Sequence, residues 1–411
     1  MAMGLRAMRA GTVPRCANGA LLNLPPARRR GHRAIQALVT FANVHVARRT
    51  TGNREAAVHN PLVVRDTIPA EASGSSSDTT LEAAGDIESS TDLEMPNRDA
   101  PGVRRIPIQT PKGPFQVWTR RMGDNPTAKL LFLHGGPGAT HEYFEGADDH
   151  LAPAGIEYLY YDQLGSLYSD QPTDPELWGL DRFVDELEQV RIALGLDRSN
   201  FFLLGHSWGG ILATEYALRH GENLKGLVIS NMMASCPAYN AYANEVLKPS
   251  MDQDALAEIQ ALEAADEIEN PRYMELLLEH HYVQHVLRLP AAEWPDAVNR
   301  AFRINQQLYV QMQGPSELGL SGSLIDWDRS ADLHRITVPT LVIGATHDTM
   351  DPAYMAWMAS QLPNGSYLHC PDGSHMAMWD DEAVYWDGLL QFIRSVESGG
   401  PSPGDEPAAA S

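Results

Sequence analysis

The run Phe201-Phe202-Leu203-Leu204-Gly205-His206-Ser207-Trp208-Gly209-Gly210 constrains this 411-residue chain more than any other. Four apolar residues read as a buried strand, and Ile211, Leu212, Ala213, Tyr216, Ala217 and Leu218 then space an apolar face at helical period. Between them Gly205-His206-Ser207-Trp208-Gly209 fits G-x-S-x-G, which in a strand–turn–helix setting lifts a serine onto a sharp, strained turn. Gly205 and Gly209, two residues either side of Ser207, let strand and helix approach closely, and Gly210 adds room.

The surrounding chain supplies the sheet that such a turn requires. Arg105–Gln109 and Phe115–Arg120 flank Thr110-Pro111-Lys112-Gly113-Pro114 as a hairpin. Lys129–Leu133, Ile156–Tyr161, Phe201–Leu204 and Leu227–Ser230 are short apolar strands, with helical spacing over Arg182–Leu194. The rhythm stops after Leu227–Ser230 and returns with Thr340–Ile343, Tyr367–His369 and a closing helix over Ala383–Val396. Between lie three helix-like stretches, Asp252–Glu269, Pro271–Leu289 and Glu293–Gln313. The expected fold is α/β: a mostly parallel sheet with helices on both faces, residues 103–233 and 331–397 forming the core and residues 234–330 an inserted helical cap.

The ends read differently. Residues 1–54 hold ten arginines and neither an acidic residue nor a serine, a composition that half matches an organelle transit peptide. Residues 55–102, with Ser73-Gly74-Ser75-Ser76-Ser77, read as a disordered linker, and residues 398–411 as a disordered tail. The expected location is the cytoplasm, or an organelle if residues 1–54 direct import.

Ten of the 31 basic residues lie in 1–54, leaving 21 against 53 acidic residues in the rest. So acidic a body argues against nucleic-acid binding and against an anionic membrane surface. No apolar run reaches eighteen residues, the length a membrane span needs. Three scattered cysteines, Cys16, Cys236 and Cys370, make neither a disulfide framework nor a zinc spacing. His280, His281 and His285 share helical spacing but have no clear acidic or cysteine partner, so neither metal nor cofactor is expected.

A serine hydroxyl is a weak nucleophile and needs a base, which in turn needs an orienting carboxylate. On sheets of this kind these follow in the order serine, acid, histidine, on loops after late strands. Asp348 follows Thr340–Ile343 and His375 follows Tyr367–His369. Asp351, before Pro352, suits a helix N-cap better, and His347 and His369 suit solvated or structural places. The oxyanion hole is expected from the backbone N–H groups of Trp208 and of Gly136 in His134-Gly135-Gly136-Pro137-Gly138.

These motifs together resemble the proline iminopeptidase family of α/β-hydrolases, over about residues 103 to 396. His134–Gly138 matches its HGGPG, Asp162-Gln163-Leu164-Gly165-Ser166 its DQ-x-G-S segment, Gly205–Gly210 its serine elbow, and Gly373-Ser374-His375 its histidine loop. Met312-Gln313-Gly314-Pro315-Ser316-Glu317 and Asp326-Trp327-Asp328 are similar to the tricorn-interacting aminopeptidases within it. The resemblance implies a metal-free serine aminopeptidase that removes an amino-terminal residue, typically proline, from short peptides or amino-acid amides. It also implies that Glu317 holds the substrate's α-ammonium. In those relatives a second glutamate follows the catalytic aspartate; here Thr349 stands there, which points to weaker amine recognition and a broader first residue. An esterase or lactonase on the same scaffold, and a non-catalytic receptor, are the alternatives.

Overall fold

The computed structural model describes residues 95–399, so the expectations for residues 1–94 and 400–411 lie outside the described residues. Eight strands, β1 (Val103–Thr110), β2 (Gly113–Met122), β3 (Lys129–Leu133), β4 (Glu157–Asp162), β5 (Phe201–His206), β6 (Gly226–Ser230), β7 (Thr340–Ala345) and β8 (Gly365–Cys370), form one sheet. Its order is β1-β2-β4-β3-β5-β6-β7-β8. The β1–β2 hairpin and the β2–β4 pair are antiparallel, and every later pairing is parallel. Parallel strands covered on both faces must be apolar on both faces. Accordingly Phe201 and Leu203 of β5 enter one core and Phe202 and Leu204 the other, as do Leu131 and Leu133 against Leu130 and Phe132 on β3.

Among the described residues the α-helices of six residues or more, in chain order, are α1 (Leu180–Leu194), α2 (Trp208–His220), α3 (Cys236–Tyr242), α4 (Gln253–Ala264), α5 (Pro271–Leu277), α6 (Asp296–Ala301), α7 (Gln306–Met312), α8 (Pro352–Gln361) and α9 (Glu382–Ser398). Phe183 and Leu187 of α1, Ile211 and Leu212 of α2 and Met355 and Met358 of α8 fill the first core. Tyr385, Trp386 and Leu389 of α9 fill the second. Helices α3 to α7 lie between β6 and β7, as the cap.

Three local readings change. Residues 95–102, assigned by composition to a disordered linker, are packed: Asn97 is buried, donates to Glu145 Oε1 at 2.6 Å and receives Arg120 Nη1 at 2.9 Å, and the Arg98 carbonyl receives Trp118 Nε1 at 3.2 Å. The stretch 293–313 is two helices, because Asn305 turns its side chain back to accept from Leu308 N–H and starts α7 afresh. Cys236–Ser250, given no helix from the sequence, is helical throughout, capped by Ser235 and passing through a π-turn over Ala243–Leu247.

The cap is tied to the core by charge as well as by apolar contact. Glu142, fully buried after β3, receives Arg300 Nε at 2.7 Å, Arg303 Nη2 at 2.9 Å and Tyr168 OH at 3.0 Å. Asn305 N–H donates to the Gly138 carbonyl at 3.0 Å, which seats the α6–α7 joint on the glycine loop.

Candidate active site

Ser207 sits at the β5–α2 turn with φ 56° and ψ −128°, in the left-handed half of the map. Side chains rarely occupy that region, so the surroundings must enforce it. They do so through glycine. A Cβ on Gly205 would stand 2.0 Å from the Gly209 carbonyl oxygen, and one on Gly209 would stand 2.1 Å from that of Leu133. A Cβ on Gly135 would stand 2.8 Å from Ser207 Cβ, which shows how closely the glycine loop lies against the serine. Among the described residues the Ser207 hydroxyl has no hydrogen-bond partner.

Asp348 and His375, on the loops after β7 and β8, meet: His375 Nδ1 donates to Asp348 Oδ1 at 2.8 Å. That bond leaves Nε2 as the free, basic nitrogen. Asp348 Oδ1 also receives Met350 N–H at 3.2 Å, and Oδ2 receives Asn231 Nδ2 at 2.7 Å. Thr349 Oγ1 lies 3.1 Å from His375 Nδ1 and donates weakly to Asp348 at 3.4 Å, so its hydroxyl faces this pair. Burial alone would lower the His375 imidazole, but the Asp348 carboxylate, with Glu317 and Asp380 beyond it, holds it above its ordinary value. Asp351, as its sequence context suggests, caps α8 through Ala353 N–H at 2.9 Å.

The glycine loop is held by the second half of the motif set. His134 Nδ1 donates to the Gly135 carbonyl at 2.9 Å, while its Nε2 accepts from Gln163 N–H at 3.1 Å and Ser166 Oγ at 3.2 Å. Burial pushes the His134 imidazole downward, consistent with this neutral tautomer. Gln163 also accepts from Trp208 Nε1 at 2.8 Å, joining the loop to the first residue of α2. Gly135 N–H is taken by Tyr143 OH at 2.6 Å. Among the described residues no hydrogen bond engages the amides of Gly136 and Trp208, the two expected of an oxyanion hole. Gly136 has φ +106°, and a Cβ there would meet the Ala139 amide nitrogen at 2.8 Å.

Glu317, on the cap segment after α7, is half-buried, and its carboxylate receives Tyr309 OH at 2.6 Å. Its carbonyl receives Tyr239 OH at 2.8 Å and His281 Nε2 at 3.3 Å. Burial raises the Glu317 carboxyl and the nearby Asp348 charge adds to this, while His375 and the Tyr309 bond oppose it. The three expected to cooperate, Glu317, Asp348 and His375, therefore share one electrostatic neighbourhood. His281 keeps a buried Nδ1 without a partner, and its imidazole, lowered to about 3 by burial, stays neutral. The rings of His281 and His285 lie 5.2 Å apart, and among the described residues no group of three His, Cys, Asp or Glu side chains is arranged to hold a metal.

Asn231 and Tyr143 were not singled out in the sequence. Asn231 follows β6 at φ 53°, a conformation in which asparagine is enriched, and that residue type at a strand's carboxyl end was the available signal.

A parallel sheet whose loops gather a forced serine turn, a histidine–carboxylate pair and a glycine loop at its carboxyl edge belongs to the α/β-hydrolase class. Residues 129–382 match the family model described as alpha/beta hydrolase fold. The proline iminopeptidase of Flavobacterium johnsoniae is 56% identical over 71% of this chain and 98% of its own, and that of Elizabethkingia meningoseptica 54% identical over the same shares. The crystal structure of proline iminopeptidase from Mycobacterium smegmatis superposes with TM-score 0.62 at 29% identity, covering 72% of this chain and 99% of that one. The structure of VinJ gives TM-score 0.66 at 27% identity over 71% and 99%. Within the α/β-hydrolase fold, the chain belongs to the proline iminopeptidases.

Proposed function

We propose that this protein is a serine aminopeptidase that releases an amino-terminal residue, preferentially proline, from short peptides or amino-acid amides. The observation that carries the reading is the 2.8 Å His375–Asp348 bond beside a serine held at φ 56°, with the Glu317 carboxylate in the same electrostatic neighbourhood. His375 Nε2 takes the proton of Ser207 Oγ as the oxygen attacks the carbonyl carbon of the first residue. The amides of Gly136 and Trp208 receive the oxyanion, a contribution of about 2.7–4 kcal/mol per donor in comparable sites. Collapse breaks the C–N bond, and His375 passes its proton to the leaving amine. Water, deprotonated by the same imidazole, then hydrolyses the acyl-enzyme and frees the first residue.

Glu317 pairs with the substrate's ammonium, since a cation taken out of water needs a carboxylate partner. Tyr309 keeps that carboxylate aimed. The Thr349 hydroxyl, directed at Asp348 and His375, supplies no second charge to the amine, which favours a broader first residue and simple amides as substrates. We place the protein in the cytoplasm, or in an organelle if residues 1–54 serve import.

The test is a panel of aminoacyl-arylamides, each free and N-acylated, against wild type, Ser207→Ala and Glu317→Ala. The free prolyl substrate is expected to be cleaved and its acylated form spared, with Ser207→Ala inactive and Glu317→Ala losing the preference for the free amine. Equal cleavage of blocked and free substrates, or full activity in Ser207→Ala, would reject the assignment.

A further inference from the structure

A chain of buried hydrogen bonds runs underneath the site and touches both of its halves. It begins at Gly135 N–H, which donates to Tyr143 OH at 2.6 Å. The Tyr143 hydroxyl donates in turn to His206 Nδ1 at 3.0 Å. His206 Nε2 donates to the backbone carbonyl of His375 at 2.7 Å. The partners assign every proton: a carbonyl can only accept, so Nε2 carries the hydrogen and Nδ1 accepts. No link can be reversed without breaking another.

His206 is 1% exposed and Tyr143 2% exposed, so water does not substitute for either bond. The His206 ring stacks obliquely on that of His375, with centroids 4.9 Å apart, and meets the edge of Phe144. Burial, with the neighbouring His375 charge, drives the His206 imidazole well below its ordinary value. It therefore remains neutral while His375 gains and loses its proton. A neutral imidazole with one donor and one acceptor on opposite sides is a rigid spacer of fixed length.

We infer that Tyr143 and His206 are positioning residues for the hydrolysis. They fix the glycine loop that carries the Gly136 amide, and the backbone of His375, at set distances from Ser207. The inference rests on the proposed roles of Ser207, His375 and Gly136. His206 is bonded through the backbone to Ser207 itself, so the three groups that must converge on one carbonyl are referenced to a single buried ring. Spread of their relative positions is what such a device removes, and a misplacement of 1 Å costs about 10²-fold in rate. The ground-state site is separate: Glu317 and Tyr309 belong to the cap and touch none of these bonds.

The experiment compares Tyr143→Phe, His206→Ala and His206→Gln with wild type. Three readings are taken on each: steady-state kinetics on prolyl-arylamide, inhibition by a boronic-acid analogue of proline, and inhibition by proline itself. The boronate forms a tetrahedral anion on Ser207 and samples the oxyanion geometry, whereas proline binds as the planar product, held by its amine and with no covalent bond to Ser207. Tyr143→Phe keeps the ring and removes only the hydroxyl, so it guards against a simple packing loss. His206→Gln keeps an N–H at a reach similar to Nε2 and can restore the bond to the His375 carbonyl. The expected result is a loss of about 10–100-fold in kcat and in boronate affinity for Tyr143→Phe and His206→Ala. KM and proline inhibition should move less than about threefold, and His206→Gln should recover at least part of the loss seen in His206→Ala. Wild-type kcat in folded Tyr143→Phe and His206→Ala would overturn the inference, as would equal losses of boronate and proline binding. Failure of the underlying reading looks different, because it would leave Ser207→Ala active on the same arylamide.

Discussion

Gly135→Ala isolates the contact between the glycine loop and the nucleophile. Gly135 does not have a positive φ, so alanine is conformationally acceptable there and the effect comes from volume alone. The added Cβ would lie 2.8 Å from Ser207 Cβ, 3.3 Å from Ser207 Oγ and 3.4 Å from the His206 carbonyl oxygen. Carbon atoms rest about 3.5–4.0 Å apart, so the two segments must separate by roughly 0.7–1.2 Å at this point. The loop cannot simply retreat, because the Gly135 amide is pinned to Tyr143 at 2.6 Å. The serine turn cannot either, because Gly205 and Gly209 are in contact across it. Both give a little, and the Ser207 hydroxyl leaves its line to the carbonyl carbon. A displacement near 1 Å costs about 10²-fold in kcat. Overpacking of this size costs about 1–3 kcal/mol of stability, a fall in Tm of no more than about 10 °C.

The assay is kcat and KM on prolyl-arylamide, with Tm from calorimetry and the fraction of reactive serines from titration with a fluorophosphonate. Gly221→Ala is the control, since nothing lies within 4 Å of a Cβ at that position. A folded Gly135→Ala protein with kcat within threefold of wild type would refute the claim that this loop is held against Ser207.

Asp348→Asn should lower kcat by about 10⁴-fold while leaving KM nearly unchanged, because the carboxylate that fixes the His375 tautomer becomes an amide. A loss under tenfold in the same arylamide assay would remove Asp348 from the mechanism. Glu317→Gln should lower kcat/KM for free-amine substrates yet make the protein more stable at pH 7. Burial holds the Glu317 carboxyl above its ordinary value, so its ionised form is disfavoured in the folded state. That penalty is absent below the unfolded value and grows as pH rises toward and through the raised folded value. Urea unfolding of both proteins between pH 4.5 and pH 7 should therefore show the variant's advantage shrinking as pH falls, and a constant gap would contradict the burial of this charge.

The strands and the residues at their carboxyl ends were legible in the sequence because each rests on local signals. Apolar runs of three or four residues, each closed by glycine or a polar cluster, mark β3, β5, β6 and β7. Ser207, Asp348 and His375 lie at such ends. The cap was legible as helical but not in its breaks, since the joint between α6 and α7 depends on Asn305 meeting Gly165 and Gly138, far away in the chain. Asn231, Tyr143 and His206 were hidden for the same reason: a polar side chain is interpretable only when its partner is known. His206 and its carbonyl acceptor are 169 residues apart.

What joins those partners is the lateral order of the sheet. β3, β5, β6, β7 and β8 are consecutive neighbours, and their ends deliver in turn the glycine loop, Ser207, Asn231, Asp348 and His375. Parallel pairing sets His206 beside Ser230, Ser230 beside Ile343, and Ala345 beside Cys370. A slip of one residue in β6 would send Leu227 and Ile229 into the core that Val228 fills, and Val228 into theirs, and it would also carry Asn231 away from Asp348. Selection of the register by apolar packing is thus the same event that aligns the polar groups, so the accuracy of the site is inherited from the core beneath it.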